Sequence, residues 1–159
     1  CEDLTPEEWD RYGNLYSYEE AKANAPEGWR LPTDEDWKKL ERAMGMSQGD
    51  ADATGFRGTE EGTLLQQDIT GTGIALPFGG YAIVTGRPAA LRFRHWREFG
   101  YFWTATEEKN ETPFPDAYYR KISFRSSQIE RGITRIVDSN YETNYPKHMS
   151  VRYVRDAVD

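Results

Sequence analysis

The sequence predicts one α+β domain, with helices first and an antiparallel sheet after them. Three observations predict it. Two helix-start signals fall in the first third of the chain, at Ser17 and Thr33. From residue 74 onward the pattern is short strands separated by turns, with no alternation of strand and helix that would build a parallel sheet. And 159 residues with 14% aromatic content leave room for one core built on large rings, while two domains would be cramped.

The elements follow in order. Tyr12, Leu15 and Tyr16 mark a short first strand with a turn. Ser17 and Glu20 form a capping box, and the helix they start is brief because Asn24-Ala25-Pro26 ends it. Pro32 disfavours a helical residue before it, so Trp29-Arg30-Leu31 enters extended. Thr33 then caps a helix over roughly 34–44, with Asp36 as the N3 partner and Asp34, Glu35 and Asp36 favoured by the dipole in its first turn. Trp37, Leu40 and Met44 make its buried stripe, and Gly45 stops it. Residues 47–73, rich in Gly, Thr and Asp, read as a long ordered loop with one short helix or strand.

Strands come next. Ile74 to Phe78 leads through Gly79-Gly80 into Tyr81 to Val84, and Leu91, Phe93 and His95 alternate with Arg92, Arg94 and Trp96. Tyr101 to Ala105 is an aromatic strand expected at the centre of the sheet. Tyr118, Ile122 and Phe124 share one face of the next strand, which Arg120 interrupts. Ile129 to Ile136 and Val151 to Val154 complete the set, the last strand pairing near the first. Trp29, Trp37 and Trp103 are expected to be buried, residues 1–11 to be a lead-in or tether, and 12–159 to be a single domain.

Composition narrows the function. A net charge of −7 argues against a general nucleic-acid binder. No apolar run approaches the ~18 residues of a membrane helix. The single cysteine is residue 1, so no disulfide forms within the chain. A cysteine there, followed by Glu2 and Asp3, matches a bacterial lipoprotein after signal-peptide removal, and also an incidental Cys.

Several stretches taken together resemble a known family. They are Leu15 to Ala21, Pro26-Glu27-Gly28-Trp29-Arg30-Leu31-Pro32-Thr33 with Trp37 and Leu40 in step, Gly73 to Tyr81, Tyr101 to Thr106 and Ser150 to Asp156. In this order they resemble the Fibrobacter succinogenes major paralogous domain of bacterial exported proteins and lipoproteins. The resemblance implies a C-type lectin-like fold, with two N-terminal helices flanking a small antiparallel sheet with long loops. Family members often carry a Cys before the Pro-x-Gly-Trp segment and another in the last strand; here these positions are Ala25 and Tyr153. Loss of both together is consistent with the two forming a bridge in those members.

No site of known chemistry stands out. The lectin-type calcium motifs have only a near miss in Glu111-Thr112-Pro113, and Asp50 with Asp52 is a weak calcium alternative to a solvated acidic turn. Asn110-Glu111-Thr112 spells a glycosylation sequon and marks a surface loop. His95 and His148 have no companions at metal-ligand spacing, and neither a nucleophile elbow nor a P-loop is present. The sequence therefore points to no catalytic residue, metal or cofactor. The candidate ligand-binding surface is Arg92, Arg94 and Trp96 together with Asn140, Tyr141, Asn144, Tyr145 and His148, where guanidiniums, rings and amides sit near turns. The opposing reading is that the arginine stems cover core rings.

The expected function is a non-catalytic, exported binding or adhesion module, lipid-tethered at Cys1 on the outer cell surface or in the periplasm. It would recognise a glycan or protein ligand, bind no nucleic acid, and meet the membrane only through its anchor. The alternatives are an enzyme-like relative of the formylglycine-generating type lacking its cysteines, or a structural subunit of an envelope assembly.

Overall fold

The structure, a computed structural model, describes residues 15–66, 74–85, 90–139 and 144–157. Its first two helices start where the sequence places them. Ser17 caps α1 (Tyr18–Ala23), and Thr33 caps α2 (Asp34–Ala43). Both capping boxes are closed: the Asp36 amide donates to Thr33 Oγ1 at 3.1 Å, and the Thr33 amide donates to Asp36 Oδ2 at 2.8 Å. At the other end of α2, Gly45 takes φ +112°, its amide donates to the Arg42 carbonyl, and the Met46 amide donates to that of Glu41. This is the paired bonding of a Schellman stop, and its backbone angle favours a residue without a Cβ at position 45.

The region read as one long loop holds more structure. It forms α3 (Gln48–Asp52), β2 (Gly55–Arg57) and α4 (Glu61–Gln66). The strands that follow are β3 (Tyr81–Thr85), β4 (Ala90–Arg94), β5 (Phe99–Glu108), β6 (Asp116–Ser123), β7 (Ile129–Arg135), β8 (Val137–Ser139), β9 (Asn144–Pro146) and β10 (His148–Met149). Together with β1 (Tyr16–Ser17) they make two four-stranded antiparallel sheets, β1-β10-β3-β4 and β2-β7-β6-β5, and a β8-β9 ribbon. The last strand, β10, pairs with the first, Tyr16 opposite Met149, whereas residues 151–154, expected as the closing strand, hold only an isolated bridge from Val154 to Arg30.

The expected balance of elements is overturned. Two N-terminal helices flanking a small sheet, the arrangement implied by a C-type lectin-like fold, is not what the chain adopts. Antiparallel sheet dominates, and the helices are four short ones among the described residues. The physical reason lies in β5 and β6, 10 and 8 residues long with buried residues on both faces, so they form the middle layer of the molecule, although β5 stands at the edge of its sheet and not at the expected centre.

One face of that sheet packs Phe102, Ile122 and Ile129 against Trp37 of α2, Ala51 of α3 and Leu65 of α4. The other packs Trp103 and Ala117 against Tyr18 and Ala21 of α1 and Met149 of β10. Trp37 and Trp103 are buried as expected, and the Trp103 indole donates to the Tyr16 carbonyl at 2.8 Å. Trp29 is not buried: it is 42% exposed. Phe124 lies beyond the end of β6 and is also exposed, so it shares no strand face with Ile122.

Arg120, which breaks the apolar face of β6, is fully buried for a reason. Its guanidinium donates to Asp34 Oδ1 at 2.6 Å and to Glu41 Oε1 at 3.1 Å, both on α2. Arg131 of β7 donates to Asp34 Oδ2 at 2.8 Å, and Arg57 of β2 to Glu41 Oε1 at 2.8 Å. Burial pushes the Asp34 carboxyl up, but Arg131 and Arg120 outweigh it and hold the group below the usual carboxylate range. Helix α2 is thus bolted to the sheet by charge on one side and by Trp37 on the other.

Candidate functional site

Trp29 owes its exposure to a tight turn. The Trp29 amide donates to the Pro26 carbonyl at 2.9 Å, and Gly28 supplies the φ of +80° that the turn's third position needs. The next residue is anchored in both directions. Arg30 and Val154 exchange backbone hydrogen bonds at 2.7 and 2.9 Å as an isolated antiparallel bridge. The Arg30 guanidinium grips Asp36 through both terminal nitrogens, one bond measuring 3.2 Å, and reaches Asp156 at 3.0 Å.

These anchors make one wall of a cleft of about 350 Å³. Trp29, Pro32 and Trp37 line it from the N-terminal third, and Arg152, Tyr153 and Arg155 line it from the C-terminal segment. That volume falls within the range of small-molecule sites, and the lining is of their kind: large rings with a few polar groups. The Arg155 guanidinium lies 5.2 Å from the centre of the Trp29 ring, a cation–π contact at the cleft mouth. The one carboxylate in the lining is Asp36. Its hydrogen bond from Arg30, aided by the Thr33 amide and hydroxyl, holds it down to about 2 against its burial, so it stays ionised throughout the physiological range.

The segment opposite Trp29 is held by a second device. The Tyr153 hydroxyl donates to the Ala21 carbonyl at 2.7 Å, tying the chain end to the end of α1.

The surface chosen from sequence lies elsewhere. Arg92 and Arg94 are exposed on β4, Arg94 opposite Tyr81 of β3. Trp96 follows β4, half-buried, with the Arg97 guanidinium 4.2 Å from its ring centre. His95 takes φ +58° and turns the chain, which ends the alternation seen in the sequence; its ring meets Tyr81 and Phe99. Asn144 and Tyr145 belong to β9, paired with Ser139 and Asp138, and β9 packs on β3. His148 sits in β10 between Ser17 and Ala82, half-buried. The two stretches therefore approach the same strand, β3. Asn140, Tyr141 and Cys1 lie outside the described residues.

Asp50 and Asp52 are on helix α3, and the Asp52 carboxylate accepts from Lys38 Nζ at 2.9 Å and Gln48 Nε2 at 3.0 Å. Among the described residues, no three His, Cys, Asp or Glu side chains gather as metal ligands do. The Trp29 cleft was missed because a tryptophan beside a Leu-Pro segment reads as core. The available signal was the Pro-x-Gly turn just before it, since such turns lie at the surface.

A sequence model of the Fibrobacter succinogenes major domain matches residues 1–155. The chain belongs to that family. The residues of the Trp29 turn, the Arg30 anchor and the 152–155 wall all fall within the matched span. No curated protein and no solved structure matches it.

Proposed function

We propose that this domain is a non-catalytic binding module that takes a glycan in the Trp29 cleft. One observation carries the reading: a large aromatic ring stands 42% exposed at the mouth of a cleft while the backbone beneath it is fixed by a turn, a bridge and an ion pair. Sugar rings present C–H faces that stack on such a platform and hydroxyls that need charged or polar partners nearby. Arg152 and Arg155 supply donors. A platform whose backbone is already fixed loses less entropy on binding.

The state of Asp36 excludes one catalytic role, that of a general acid. A general acid must hold a proton near neutral pH, and a carboxyl held down to about 2 by Arg30 does not. An exported, surface-tethered setting, with Cys1 as the lipidated residue, fits an adhesion role of this kind.

The experiment is a glycan array probed with the domain and with Trp29→Ala. The domain is expected to mark a defined set of glycans and the variant to lose them, while its melting temperature stays within about 2 °C, as for an exposed residue. Equal binding by both proteins would remove the cleft from the account.

A further inference from the structure

The opposite face of the central sheet carries a second pocket, of about 210 Å³. Tyr81 of β3, Tyr101 of β5 and Tyr119 of β6 line it with Met149, Thr134 and Lys147. The three rings form a continuous wall: Tyr81 and Tyr101 meet edge to face with centres 5.2 Å apart, and Tyr101 and Tyr119 meet at 6.1 Å.

Among the described residues, the charges around this wall do not balance within the pocket. The Tyr119 hydroxyl donates to Glu130 Oε2 at 3.0 Å, and that carboxylate also faces Lys121 Nζ at 3.9 Å. Glu130 is thus already matched. Lys147 Nζ donates to the Thr134 hydroxyl at 2.8 Å and, among the described residues, makes no ion pair. In a chain of net charge −7, a half-buried ammonium whose neighbours in the pocket are hydroxyls and rings is a site for one negative charge. A single ammonium balances a single negative charge, so a monoanionic carboxylate fits better than a dianion such as phosphate. The tyrosine wall asks for a ring with C–H faces beside that carboxylate, and the volume suits a single one.

We infer that this pocket binds one uronic acid residue, with the sugar carboxylate on Lys147 and Thr134 and the sugar ring against Tyr81, Tyr101 and Tyr119. The site is separate from the Trp29 cleft and does not depend on it. A protein using both would prefer acidic polysaccharides, since the stretch from Lys147 to Arg155 contributes to each.

The test is an NMR titration of the isotope-labelled domain with D-glucuronate, D-glucose and acetate in turn. Glucuronate is expected to shift resonances of Tyr81, Tyr101, Tyr119 and Lys147, binding at least about tenfold tighter than either glucose or acetate. Lys147→Met should lower glucuronate affinity about tenfold and Lys147→Arg, which keeps the charge, should retain most of it. Lys147→Gln replaces Lys147→Met if the latter fails to fold. Glucose binding as tightly would overturn the role of the charge, and acetate binding as tightly would overturn the role of the ring. Shifts confined to the Trp29 cleft, or affinity unchanged in the neutral variants, would overturn the site. Loss of the cleft through Trp29→Ala leaves this titration unaffected, so the two readings fail independently.

Discussion

Arg120 and Trp29 exchange the roles their residue types suggest: the charge is inside and the ring is outside. A buried guanidinium is tolerable only with partners, and Arg120 has two carboxylates on α2. Removing it alone takes one partner from each of Asp34 and Glu41, which keep Arg131 and Arg57, so Arg120→Met is expected to cost about 3 kcal/mol in urea denaturation. A loss under about 1 kcal/mol would mean that water or Arg57 and Arg131 compensate. Asp36 makes a pH prediction. Its folded pKa, about 2, lies below the ordinary 3.8, so its contribution is complete above about pH 4 and is lost as pH falls through 2. The shift corresponds to about 2 kcal/mol, discounted to about 1 because Arg30 is partly exposed. Acid unfolding followed by circular dichroism should therefore lose part of its slope in Asp36→Asn; an unchanged acid limb would deny the ion pair its role. Neither residue's placement was legible beforehand. Period-two alternation shows which residues share a face, but not whether a charge on that face finds partners on a distant helix.

Caps and turns were the most legible features, because their physics spans only a few residues. Ser17, Thr33, Asp36 and Gly45 act in the structure as their types and spacing imply. Thr33→Ala should destabilise by about 1 kcal/mol. Gly45→Ala should cost a similar amount or more, since φ +112° is strained for any residue with a Cβ. Thermal melts of the two variants check both; a neutral Gly45→Ala would mean that the helix end relaxes. Tyr153→Phe, which deletes only the hydroxyl bonded to Ala21, is expected to cost about 1 kcal/mol and to loosen the wall opposite Trp29. Elements held by distant partners were less legible. β2 exists because Gly55–Arg57 pairs with Arg131–Ile129, more than 70 residues away, and α4 because Leu65 drops into the core. Within its own stretch, that region looks like loop.

The molecule is a layered one, with helices, a central antiparallel sheet and a second sheet, and the C-terminal run from Lys147 to Arg155 threads between its two pockets. Family membership was legible because the motif segments keep their order across the chain. The layer order was not, because it depends on pairings such as β10 between β1 and β3, which no local pattern encodes. The central claim is that recognition happens at Trp29 and not at the arginine stripe around Trp96. The most direct measurement is an NMR titration of the tryptophan indole resonances with the strongest glycan from the array. The account predicts that the Trp29 indole signal moves on binding, with that of Trp37 in the same cleft free to follow, while those of Trp103, which is buried elsewhere, and of Trp96 stay in place. A shift centred on Trp96 with Trp29 unmoved would contradict it.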